Sequence, residues 1–205
     1  MISARSRKFR QGLVLVLALS FTLSLAAMSV SPYMLGGEEF EFWMLAVNSI
    51  LIAIPLGILH SLLGILILAA DRHRRHEGID TRLAKWLYWG PRICCLILVA
   101  FMSLFAFDVF EEGRTLGEML LAFLMHMLPM IALGFVLAFA WRWPWVGAVV
   151  FGLAALAFSI WTLGDGIQGA GTLLIIGAPL LMISLVFAAN ASWKREIDLA
   201  RHPII

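Results

Sequence analysis

The sequence predicts an all-α fold: a polytopic transmembrane bundle of six helices with both terminal segments on the cytoplasmic side. Three observations predict it. Of the 205 residues, 62% are hydrophobic and only 14% charged, against about 45–50% and 25% in an average soluble domain. Six apolar stretches approach or exceed the ~20 residues that a spanning helix needs. Finally, fourteen of the fifteen Lys and Arg residues lie in the segments on one side of those stretches, leaving only Arg114 on the other. The positive-inside rule makes the cation-rich side cytoplasmic. Tryptophans mark both edges, with Trp43 and Trp161 outside and Trp86, Trp89, Trp141, Trp143, Trp145 and Trp193 inside, as amphipathic rings at headgroup level require. The expected location is the cell membrane, multi-pass.

The chain opens with the cations Arg5, Arg7, Lys8 and Arg10, followed by an uncharged stretch to Gly37. The first span is placed at 13–35. A cleaved signal peptide is the alternative, with Ala27-Met28-Ser29 as its small-residue site, but the run is long for the ~7–15 residues of such a segment. Glu38, Glu39 and Glu41 form a short acidic loop. The second span, 43–70, is longer than a perpendicular crossing needs, so tilt or a kink at Pro55 is expected. A basic cytoplasmic loop occupies 71–90. Ile79, Leu83, Trp86 and Leu87 share one helical face there, which fits either a helix lying in the interface or an ordinary loop anchored by tryptophans.

Pro91 suits the first turn of a new helix, where its missing N–H costs nothing. A four-helix unit then covers 91–193, with spans near 90–110, 118–141, 145–163 and 172–190 and a bend expected at Gly177-Ala178-Pro179. The Trp141-Arg142-Trp143-Pro144 turn is so short that the helices flanking it must be antiparallel neighbours. Residues 194–205 form a basic tail. With no hydrophobic drive between helices in lipid, small residues set the packing, and Ala148/Gly152 and Gly134/Ala138 are the small-xxx-small pairs. The adjacent Cys94 and Cys95 have no CxxC or His partner and read as small core residues; S-palmitoylation in a eukaryotic host is the alternative.

From Arg92 to Trp193 the order of motifs is distinctive. Ser103-Leu104-Phe105-Ala106-Phe107-Asp108-Val109-Phe110-Glu111-Glu112-Gly113 ends one helix, and Leu120-Leu121-Ala122-Phe123-Leu124-Met125-His126-Met127-Leu128-Pro129 lies in the next. Trp141-Arg142-Trp143-Pro144, Gly147, Gly152, Trp161 and Gly177-Ala178-Pro179 follow. This half of the chain resembles a family of small bacterial and archaeal four-helix membrane proteins of unknown function. The resemblance implies a four-helix unit in a prokaryotic membrane, with the first two helices as an addition, and implies no activity.

Ionisable groups inside a span are costly and become functional candidates by default. His126 lies within the fourth span, His60 in the cytoplasmic half of the second, and Asp108 near the outer surface. Asp108, Glu111 and Glu112 share a helical face by their i, i+3, i+4 spacing, at a helix C-terminus where negative charge is disfavoured. Glu118 opens the next helix, so these carboxylates form a candidate outer cation site for oxygen-ligated metal. The plainer reading is that acidic residues are simply tolerated outside. His126 could relay protons with Asp108 across a depth difference of ~7 Å at 1.5 Å per residue, with a water bridging them; the plainer reading is a neutral histidine donating to a backbone carbonyl in a neighbouring helix. A haem between His60 and His126 is disfavoured, because they differ in depth by roughly 12 Å.

No metal is assigned, no cofactor is expected, and no nucleophile–base pair, phosphate loop or HExxH motif appears. Net charge of +2 gives no reason to invoke nucleic acid. The expected partners are the lipid bilayer and other membrane subunits. The favoured function is a non-catalytic accessory, scaffold or interaction subunit; the alternative is a small transporter or proton conductor using Asp108 and His126.

Overall fold

The computed structural model describes residues 4–35, 41–110, 115–163 and 170–201. Among them there is no strand. The elements are α1 (Ala4–Leu35), α2 (Phe42–Arg74), α3 (Thr81–Leu104) with a 3-10 turn at Phe105–Val109, α4 (Leu116–Arg142), α5 (Pro144–Thr162), α6 (Ala170–Ser192) and α7 (Lys194–Arg201). The first six helices are long and apolar enough to cross a membrane. Arg10 of α1 reaches Asp80 before α3, His73 of α2 packs on Trp193 after α6, and Arg92 reaches Trp141 of α4. These contacts place the start of α1, the end of α2, the start of α3 and the ends of α4 and α6 at one end of the bundle.

The core is made by α2, α3, α5 and α6, with Leu62, Leu87, Leu98, Phe151, Ile183 and Phe187 buried in one cluster. The most extensive contact joins α5 to α6. It depends on small residues of α5: the Ser184 hydroxyl donates to the Ala148 carbonyl at 2.6 Å, a Cβ at Gly152 would lie 3.0 Å from the Ser184 hydroxyl, and the Phe151 and Phe187 rings stack at 5.9 Å. The Ala148/Gly152 pair thus faces α6. Gly134 and Ala138 are exposed on α4, and among the described residues nothing lies within 4 Å of the Gly134 Cβ position. Helix α4 packs on α5 and α3, as the short turn requires. Helices α1 and α4 lie at the periphery, with only 6% of each span buried.

Three segments differ from the sequence expectation, each for a tertiary reason. Pro91 does not start a helix; α3 begins at Thr81 and runs through it to Leu104. Nor does an interfacial helix lie apart from the bundle: Leu83 and Leu87 of that face are buried in the core and Ile79 packs against it, while Trp86 stays exposed. Asp80 opens α3 by accepting the Leu83 N–H at 2.8 Å, an N-cap that fixes the start ten residues before the proline. The tail forms α7, whose Ile197 is 1% exposed and whose contact with α3 holds the segment as a helix. The bend expected near Pro179 takes the form of a π-helical turn at Leu173–Gly177.

A proline within a helix leaves the carbonyl four residues earlier without its donor. In lipid that carbonyl needs another partner. For Pro91 the orphan is Leu87 O, and the Asn190 side chain, 2% exposed on α6, donates to it at 3.0 Å. For Pro32 the orphan is Met28 O, and the adjacent Ser31 hydroxyl donates at 3.1 Å. Asn190→Leu is therefore expected to cost about 1–2 kcal/mol by leaving a buried acceptor unsatisfied. Pro91→Ala, which returns an N–H to Leu87 O, should recover most of that loss. A double-mutant cycle on reversible unfolding in detergent checks this, and simple additivity of the two changes would refute the pairing.

Candidate functional site

Among the described residues, the candidate side chains His60, His126 and Glu118 do not form one cluster. The Asp108 side chain and residues Glu111, Glu112 and Arg114 lie outside the described residues. Glu118 serves its own helix: its carboxylate accepts from the Thr115 N–H at 2.9 Å and the Thr115 hydroxyl at 2.8 Å, while the Glu118 N–H donates back to the hydroxyl at 3.4 Å. This is a capping box at the start of α4, where a carboxylate also meets the favourable end of the helix dipole. Among the described residues, no three His, Cys, Asp or Glu side chains come together. Cys95 is buried and Cys94 half-buried, both as free thiols in the span of α3.

His60 is a bridge between α2 and α1. Its Nδ1 lies 2.8 Å from the Leu56 carbonyl, which can only accept, so Nδ1 carries a proton. In the neutral ring Nε2 then accepts from the Ser20 hydroxyl, 3.2 Å away on α1. Phe21 meets the ring edge-on at 5.6 Å. Both nitrogens are engaged, and the residue's polarity is closed off within the helix pair.

His126 is different. Its Nδ1–H donates to Ala122 O of its own helix at 2.9 Å, not to a carbonyl of a neighbouring helix as the plainer sequence reading expected. Yet the side chain is exposed. Periodicity places His126 on the same stripe of α4 as Leu133, Leu137 and Ala140, at i+7, i+11 and i+14. Leu137 and Ala140 are buried and Leu133 packs against the core. The stripe is thus closed near the end of α4 but open at His126. Nearer its start α4 is held again, where Phe123 meets Phe107 at 5.8 Å and Phe110 at 5.7 Å. His126 stands ten residues into the 27-residue helix, about 15 Å along its axis from Leu116.

The residue that sequence reasoning missed as an intramembrane group is Arg92, counted there only among the loop cations. It is 0% exposed. Its guanidinium lies 3.9 Å from the Tyr88 ring centroid, 5.5 Å from that of Phe187 and 5.8 Å from that of Trp141. It donates to the Tyr88 carbonyl one turn earlier and to the Trp141 carbonyl at 3.3 Å; no described carboxylate pairs with it. Arg201 of α7 lies 3.6 Å from the same Tyr88 centroid, and two guanidinium groups that close to one ring cannot share a face. Tyr88 is therefore held between two cations, tying α3, α4, α6 and α7 together at the bundle end. Its sequence signal is an arginine next to a proline inside an aromatic-rich stretch, Tyr88-Trp89-Gly90-Pro91-Arg92.

What these groups do chemically is mostly local. Ser103, Ser159 and Thr162 donate to carbonyls in their own helices. The bonds that cross between helices, including Ser29 with Ser49, join α1 to α2, α3 to α4 and α6, and α5 to α6. Residues 80–199 match the model of a domain of unknown function. No curated protein and no solved structure matches the chain significantly. The matched region holds four of the six spans, α3 to α6, together with α7, while α2, which lies before it, shares their core.

Proposed function

The chain belongs to the DUF7670 family, whose function is unassigned, and we propose that it is a non-catalytic accessory or interaction subunit of a membrane assembly. Charge asymmetry supports an orientation with the cation-rich end of the bundle on the cytoplasmic side, and the resemblance of residues 92–193 is what favours a prokaryotic membrane. One observation carries the reading: a histidine stands exposed ten residues into the apolar helix α4, on the helix's own packing stripe. Polar side chains within spans almost always face protein or water, so an uncovered one here implies a protein neighbour. The exposed Gly134/Ala138 pair on α4 supplies a surface on which another helix could approach closely. The polar groups bonded within and between helices leave this reading little to do with transported solutes.

A photo-crosslinker placed at Leu124 or Ile131 of α4, activated in the native membrane, is expected to give one discrete protein adduct. The same probe at Leu15 of α1 should give lipid adducts only. Lipid adducts from all three positions would remove the accessory reading. Proton or ion flux into proteoliposomes that disappears in His126→Ala would replace it with the transport reading through Asp108 and His126.

A further inference from the structure

At the cation-rich end, a lateral hollow of about 400 Å³ opens between α1, α2 and α3, walled by Arg10, Val14, Leu17, Ile65, Leu68 and Trp86 among others. A second hollow of about 290 Å³ continues it along α1 past His60 to Phe21. Gly64 lets the two helices converge beside it, since a Cβ there would lie 3.0 Å from the Leu17 side chain. We propose that this groove seats one acyl chain of an anionic phospholipid, with the headgroup phosphate at Arg10 and Trp86.

Length, width, wall chemistry and charge each support that occupant. Arg10, Val14, Leu17 and Phe21 recur at steps of four, three and four, so they form one stripe of α1 about 16 Å long. That is half of the ~30 Å hydrocarbon core, the depth of one leaflet. The first hollow, drawn out over the two turns from Arg10 to Leu17, is wide enough for an acyl chain lying along α1. A single hydrocarbon chain fits. The one ring that could make the wall polar, His60, has both nitrogens occupied by Leu56 O and the Ser20 hydroxyl, and so offers the groove its carbon edge.

The mouth is cationic. Asp80 is shared by Arg72 at 2.6 Å and Arg10 at 3.4 Å, and its second oxygen is taken by the Leu83 N–H. Two guanidinium groups facing one carboxylate leave positive charge uncompensated at headgroup level. Arg10 retains 35% of its side-chain exposure, with its stem along apolar wall and its head free to meet phosphate. Trp86, 59% exposed, adds an indole ring of the kind that prefers this depth. This assignment does not depend on what docks against α4.

The test uses the full chain purified in mild detergent and native mass spectrometry with palmitoyl-oleoyl phosphatidylglycerol or phosphatidylcholine. One retained phosphatidylglycerol per chain is expected, at occupancy exceeding that of phosphatidylcholine by about five-fold, the factor that one cation near the headgroup supplies. Arg10→Gln should bring phosphatidylglycerol down to the phosphatidylcholine level, and Ser61→Trp, which fills the hollow from an exposed position, should abolish retention of both. Equal retention of the two lipids, retention unchanged in either folded variant, or displacement of the lipid by inorganic phosphate would overturn the proposal. Arg10→Gln, at a half-exposed site, keeps the test decisive if Ser61→Trp does not fold.

Discussion

Gly147→Leu is expected to destabilise the bundle by about 1–3 kcal/mol or more, because there is no direction in which a side chain at 147 could go. Even a Cβ would lie 2.8 Å from two ring atoms of Phe187 and 2.9 Å from the Ala140 Cβ. Neither neighbour can yield cheaply. Phe187 is fully buried and its ring is stacked on Phe151 with only 3° between planes, while the Ala140 Cβ is fixed to the backbone of α4. The glycine is where α4, α5 and α6 come closest, so a larger residue must separate α5 from both partners. Unfolding in a denaturing detergent titration measures the loss, and Phe187→Leu in the Gly147→Ala background should return part of it. Gly134→Ala is the internal comparison: nothing lies within 4 Å of its Cβ position, and a helix-interior alanine is favoured over glycine. It should leave stability equal or higher. A loss at Gly134 matching that at Gly147 would show that helix propensity, not the three-helix contact, sets the cost.

The two glycines also show how far the sequence reaches. Both stand in apolar helices, and it is Gly134, not Gly147, that belongs to a small-xxx-small pair, so local pattern does not reveal which of them is tightly packed. Gly147 faces ring and helix, while Gly134 faces out, because the orientation of α4 is fixed by Leu133, Leu137 and Ala140 against residues remote in sequence. The six spans were legible because a run of apolar residues must cross lipid whatever its neighbours do. The continuity of α3 through Pro91 was not, since it depends on an asparagine 99 residues later, a separation read from the two positions, that replaces the missing donor. For the candidate site the same division holds. Residue chemistry identified His60 and His126 as the polar groups to examine, but only packing shows that His60 is closed within α1 and α2 whereas His126 is left open. Arg92 was hidden by its neighbours in sequence: with Arg82 and Lys85 nearby, it reads as one more loop cation until α3 is seen to carry it into the bundle.

Arg92 gives the other large effect, and its sign depends on the replacement. A fully buried guanidinium carries a desolvation cost of several kcal/mol, offset by aromatic faces worth up to ~2 kcal/mol when desolvated and by two charge-assisted bonds to carbonyls, Tyr88 O and Trp141 O. One bond is left unmade: the Arg92 Nε–H has no partner. These terms nearly cancel, which leaves shape as the deciding quantity. Arg92→Ala removes the side chain between Tyr88, Phe187 and Trp141 and should cost about 2–5 kcal/mol as a core truncation does. Arg92→Lys keeps a buried charge but loses the planar stack and the forked donors, so it should be nearly as damaging. Arg92→Met fills the same space without a charge and should fall within about 1–1.5 kcal/mol of the wild type. Thermal denaturation of the three variants in one detergent gives the order. If methionine proves as damaging as alanine, the cation itself holds the α3, α4, α6 and α7 junction together, and the stack of Arg92 and Arg201 on Tyr88 is an electrostatic fastening. If methionine is tolerated, the junction is a packing feature that happens to use an arginine, and α7 should remain docked through Ile197 and the Arg201 stack on Tyr88.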